Sequence, residues 1–205
     1  MHLRPLFAVL LVALAGCTNN DPEPEQLNPV EITIDGVRIN HYNPTALIEA
    51  HFAALNVSSA AAYEAMLEKP TAGRSETGFR FHIRDTDIGL LPWLTGTSWG
   101  YDVEVTIIRN MTNPDFAGGE PPVQYMHGNG AVLREETTPE GRRHTLVAAL
   151  QVLQERADGW DLQTRFEFDL VPDEDGFWRI HKIAEFRSVP QPVEASWGQV
   201  KAAYH

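Results

Sequence analysis

Residues 166–186 read FEFDLVPDEDGFWRIHKIAEF, and this stretch decides the fold. In its first half Phe166, Phe168 and Leu170 alternate with Glu167 and Asp169. That is the period of a strand with one apolar and one solvated face. Asp173-Glu174-Asp175-Gly176 is turn chemistry. Beyond it, Trp178, Ile180, Ala184 and Phe186 are read as a second apolar face, with Lys182 among them. Upstream, Leu162 and Thr164 extend the first alternation, and Ala157-Asp158-Gly159 separates it from another apolar-rich run. Runs over 144–154, 160–171 and 177–188 joined by such turns predict one antiparallel meander.

The N-terminal half carries different periods. Residues 30–42 hold two β-rich runs around Asp35-Gly36, a two-residue hairpin signal. Asn43-Pro44 offers a cap and a first-turn proline, and Leu47, Ile48, His51, Phe52 and Leu55 follow at helical spacing, which predicts a helix over 44–56. Ser58 or Ser59 caps a second helix with Ala62, Tyr63, Met66 and Leu67 on one face, ended by Pro70. Phe79, Phe81 and Ile83 alternate with Arg80, His82 and Arg84 as in a half-buried strand. Residues 98–111 suit either a strand or a helix begun by Ser98. The Pro- and Gly-rich stretch 113–130 reads as a long loop. Ser196 to Tyr204 suggests a short terminal helix.

Helices followed by a long meander make an α+β order. The block HYNPTALIEAHFAALNVSSAAAYEAML (41–67) and the closing hairpin resemble the nuclear-transport-factor-2-like (NTF2-like, SnoaL-like) family. The resemblance covers roughly 43–188 and implies an NTF2-like cone, with N-terminal helices packed on a curved antiparallel sheet. It also implies that 98–111 is the third helix, and leaves 189–205 as a tail with a short helix. Family enzymes move protons with a cone-lining Asp or His beside Tyr or Asp donors, but no such residue matches this sequence.

At the other end, a cationic start leads into the apolar run Leu6–Ala15. Ten apolar residues rise only about 15 Å as a helix, roughly half the hydrocarbon core of a bilayer, so the run predicts a signal peptide over 1–16. Leu14-Ala15-Gly16-Cys17 resembles the bacterial lipobox. That resemblance implies lipidation of Cys17, palmitate included, and a membrane partner reached through the lipid. Thr18 after the cysteine implies the outer membrane, facing the periplasm. Residues 17–29 then read as the lipidated cysteine and an acidic, Pro-rich tether, whose twelve residues 18–29 reach about 37 Å at roughly 3.1 Å per residue.

With 16 Lys+Arg against 28 Asp+Glu the net charge is −12, which excludes the basic surface that a nucleic-acid backbone needs. A single cysteine excludes an internal disulfide framework and a Cys-cluster zinc site. Phosphate-loop, dinucleotide, HExxH and nucleophile-elbow motifs are all missing, and neither a metal nor a cofactor is implied. His51, on an apolar stripe, and His82, between two arginines, are the candidate proton-transfer groups. Trp93, Trp99 and Tyr101 cluster near Gly96 and Gly100, either lining a ligand mouth or plugging the cone. The expected function is a lipid-anchored binding or accessory domain with a small apolar ligand. The alternatives are an isomerase- or dehydratase-type enzyme and a homodimeric scaffold.

Overall fold

Strand alternation, helix caps and two glycines within one strand set the architecture. The computed structural model describes residues 31–71, 78–118, 121, 123–154, 159–186 and 195–205. The expected signal peptide (1–16), Cys17 and the expected tether (17–29) lie outside the described residues, as do residues 155–158.

Strands β1 (Glu31–Ile34) and β2 (Val37–Asn40) form the expected hairpin, with Asp35 and Gly36 both at positive φ (50° and 82°). Helix α1 (Pro44–Asn56) starts at Asn43, whose side chain accepts hydrogen bonds from the Thr45 and Ala46 amides. Such a cap is worth about 1 kcal/mol. Ser59 caps α2 (Ala60–Met66) and donates to Asp35 Oδ2 at 2.6 Å, tying the helix to the hairpin turn.

The main sheet has six strands in the order β4-β3-β8-β7-β6-β5. These are β3 (Arg80–His82), β4 (Ser98–Gly100), β5 (Val123–Thr137), β6 (Arg142–Gln154), β7 (Trp160–Pro172) and β8 (Trp178–Phe186). The meander is present, but the sheet is mixed rather than purely antiparallel, because β3 runs parallel to β8. Its concave face carries Leu146, Ala148, Leu162, Phe166, Phe168, Leu170, Ile180 and Ile183, all buried against α1, α2 and α3 (Tyr101–Thr112).

Three local expectations are corrected. The third helix begins at Tyr101, not Ser98, because Ser98–Gly100 pairs with β3 as a strand first. The stretch 113–130 is not one loop: β5 begins at Val123 and runs through Gly128 and Gly130. A Cβ at either glycine would lie 2.9 or 2.7 Å from the Phe52 ring, so the glycines admit α1 against the strand rather than break it. At the margin of the sheet, Asn56 completes this contact. Its carboxamide donates to the Gly128 carbonyl (3.2 Å) and accepts from the Gly128 amide (2.6 Å). Third, a bulge opposite Asp169/Leu170 inserts His181 into β8. Ile180 therefore faces inward, but Lys182, Ala184 and Phe186 pair with outward residues while Ile183 and Glu185 turn in.

The expected tail is part of the core. Ser196 forms a capping box with Gln199 at the start of α4 (Trp197–Ala202), and Trp197, Val200, Lys201 and Tyr204 are buried.

Candidate functional site

Inside the cone the helices and the sheet enclose a polar cluster in an apolar shell. Glu104 sits on α3 among Val105, Ile108 and Met111, and Lys201 sits on α4 among Trp197, Val200 and Tyr204. Each charge lies on the apolar stripe of its helix, and the two meet as an ion pair in which both side chains are 0% exposed. Tyr63 from α2 donates to the same carboxylate oxygen, and Trp99 Nε1 donates to the other at 2.7 Å. The Lys201 ammonium also lies 4.0 Å from the Phe81 ring centroid, 5.3 Å from that of Trp197 and 5.7 Å from that of Tyr63. Burial lowers the Lys201 pKa while Glu104 opposes the shift, and burial beside Glu104 drives Tyr63 well above its ordinary range.

His51 borders this cluster. Its ring packs against Tyr63 (4.7 Å), Phe168 (5.2 Å) and Phe52 (5.5 Å), and Nδ1 is buried without a hydrogen-bond partner. Desolvation, with the Lys201 charge behind it, takes its pKa down to about 3. His82 is elsewhere, half-buried on the outer sheet face; burial, then Lys182 and Arg80, lower its pKa. The structure thus separates the two candidate histidines across the sheet.

Of the aromatic trio, Trp99 is inside, stacked on Phe81 at 4.7 Å. Trp93 is half-buried and stacks on His205 at 3.9 Å. Tyr101 donates to Glu64 at 2.9 Å, and burial together with that carboxylate raises its pKa to about 12. The sequence reading missed Glu104 and Lys201. The available signal was a carboxylate on one apolar helical stripe and an ammonium on another.

A second buried carboxylate holds α4 in place. Glu185 accepts from the Trp197 and Gly198 amides, each at 2.9 Å, where the first helical N–H groups lack partners. It also accepts from Thr164 (2.9 Å) and pairs with Arg84 (2.9 Å).

One described cleft lies outside the cone. It has about 590 Å³ between the β1–β2 hairpin, the residues after α2 and the β7–β8 turn. Ile32, Leu67 and Phe177 give it apolar walls, and Lys69, Asp173 and Arg179 line it with charge. Neither His51 nor Glu104 lines it. Among the described residues, no cluster of His, Cys, Asp and Glu is placed to hold a metal. No described helix is long and apolar enough to cross a membrane.

No protein-family model matches the chain. No curated protein matches it either. Solved structures do. A candidate dehydratase of the NTF2-like family from Streptomyces avermitilis aligns with a TM-score of 0.50 at 8% identity, over 69% of this chain and 92% of that one. The Kfla4162 protein from Kribbella flavida gives 0.50 at 8% identity, over 71% and 88%. An NTF2-like superfamily protein from Salmonella enterica serovar Typhimurium gives 0.45 at 9% identity, over 74% and 90%. The fold is α+β, the NTF2-like cone, with helices on a curved six-stranded sheet. At these identities the likeness carries the fold alone and leaves the chemistry to the residues.

Proposed function

We propose that the chain is a lipid-anchored envelope protein whose NTF2-like domain works as a small-molecule-binding or accessory module rather than as a proton-transfer enzyme. One observation carries this reading: the interior of the cone is filled by the chain's own Glu104–Lys201 cluster and its aromatic shell. The acid, the base and their hydrogen bonds are spent on one another. His51 is a poor substitute base, because a general base works best with a pKa near the operating pH and its value is about 3. Binding then falls to the outer cleft, whose apolar walls and charged lining suit a small molecule of mixed character.

The lipobox supports the anchor. Two or more acyl chains at about 0.8 kcal/mol per buried methylene exceed the marginal single-chain case. Replacing Cys17 with Ser should move the protein out of the membrane fraction, and unchanged fractionation sinks the anchor. For the domain, a library of uncharged fragments titrated into labelled protein should shift resonances of Phe177 and Arg179 and leave those of His51 and Tyr63 in place. Uncharged fragments that shift His51, or turnover that His51→Leu abolishes, would defeat the binding-module reading. The scaffold alternative rests on Tyr125, Val147, Leu153 and Phe186, exposed apolar residues on the outer face of the sheet. A concentration-independent monomer mass dismisses it.

A further inference from the structure

The recess around Glu104 is built almost entirely without the segment that fills it. Its walls are Tyr63 from α2, Phe81 from β3, Trp99 from β4 and the Glu104 carboxylate from α3. Among the described residues, α4 contributes Trp197 and the ammonium itself. A carboxylate set among aromatic faces is the chemistry that recognises an organic cation: the charge is neutralised at one end while ring quadrupoles attract the rest.

The way α4 is attached matches this. Among the described residues, every backbone–backbone hydrogen bond of Ser196–His205 is internal to that segment. Its ties to the body run through side chains: Glu185 on the first amides, Gln199 on Asp87 (2.9 Å), Asn110 on the Tyr204 carbonyl (2.8 Å) and Gln154 on the Tyr204 hydroxyl (2.8 Å). Gly198 lets the helix approach closely, since a Cβ there would stand 3.0 Å from Ile83. The segment therefore docks as a ligand docks, with side chains in a recess, whereas the strands are sewn together by backbone ladders.

We propose that the Glu104 recess is a binding site for a small primary alkylammonium, and that residues 195–205 are its intramolecular occupant, whose withdrawal opens the site. The inference rests on the filled cone and not on the outer cleft. Failure of the outer cleft to bind anything leaves every outcome below unchanged.

Three readouts on the full chain test it. In hydrogen exchange, the α4 amides should exchange at least about tenfold faster than the inner amides of β6 and β7, because the segment opens without global unfolding. Propylammonium chloride should accelerate that α4 exchange, while sodium chloride at equal ionic strength should not, since the amine binds only the open form. In Lys201→Ala, propylammonium should raise Tm by about 5–10 °C at a hundredfold excess over Kd. Propan-1-ol should not, and adding Glu104→Gln should remove the effect. If Lys201→Ala fails to fold, Lys201→Met replaces it with ammonium ion as the probe, because methionine keeps the stem and lacks only the last atom. Exchange of α4 solely at the global rate overturns the occupant. Absence of an amine-specific Tm rise, or its persistence in the Glu104→Gln background, overturns the site.

Discussion

Two charge clusters lie on opposite faces of the same sheet. Outside, Arg143, Asp169 and Lys182 stand side by side on β6, β7 and β8. Asp169 accepts from Arg143 at 2.6 and 3.0 Å and from Lys182 at 2.6 Å. Inside, Glu104 meets Lys201, Tyr63 and Trp99. The outer side chains are 17–34% exposed and the inner pair 0%. Burial pushes Asp169 up, but its hydrogen bonds from Arg143 and Lys182 outweigh that and hold its pKa below the ordinary value. Outside, water stands ready to replace any lost partner, so the ladder contributes little net stability. Inside, water has no access while α4 is docked, and the cluster fixes how α2, α3 and α4 sit together in that state. Similar chemistry decorates one face and specifies the other.

The sharpest way to break this contrast lies on a single strand. Phe168→Asp places an unpaired charge on the concave face and should cost several kcal/mol, enough to unfold the domain, while the neighbouring Glu167→Lys should stay within about 1 kcal/mol. Urea melts of the two variants decide it; equal midpoints would mean that the faces are not distinct. Next, Lys201→Met leaves Glu104 buried without its counter-ion and should cost about 3–5 kcal/mol. Asp169→Asn outside should cost about 1 kcal/mol or less, and only the outer effect should shrink in 1 M salt.

Titration gives a subtler discriminator. The folded pKa of His51, about 3, lies below its unfolded value of 6.5. Between those two values the unfolded chain binds the extra proton, so stability falls as pH drops through the window, by at most about 1.4 kcal/mol per unit. Other groups titrate there too, so the reading is the difference between the wild type and His51→Leu. That difference should narrow in the variant's favour from pH 6.5 toward pH 3, and a flat difference would place His51 in contact with water. The smallest effect belongs to the outer ladder: a double-mutant cycle on Arg143 and Asp169 should return under about 1 kcal/mol of coupling.

Much of this architecture is legible in the residues. Asn43-Pro44 marks the first helix, Asp35-Gly36 the hairpin turn, and the Phe166/Phe168/Leu170 alternation the concave face, because each is a local pattern with a local cause. Strand β5 is hidden for a long-range reason. Its concave positions Gly128 and Gly130 hold no apolar side chain because Phe52, more than seventy residues earlier, supplies it. The β8 bulge is hidden likewise, since one inserted residue reverses the face of everything after it. At the candidate site, the His51 stripe announces burial, but Glu104 and Lys201 each look like surface charges on short helices. Only the fold reveals that they answer one another.

The carboxamide of Asn56 has a consequence for how the molecules behave in a crowd. Strand β5 is the outermost strand of its sheet, and a margin with free N–H and C=O groups invites another chain to add itself. At Gly128 both groups are already taken by Asn56, which imitates the peptide of a neighbouring strand with one side chain. Self-templated growth along this edge is thereby blocked at its middle. It is left to the exposed end around Val132 and Leu133, where a bulge and then Arg134, Glu135 and Glu136 make a poor seed for aggregation.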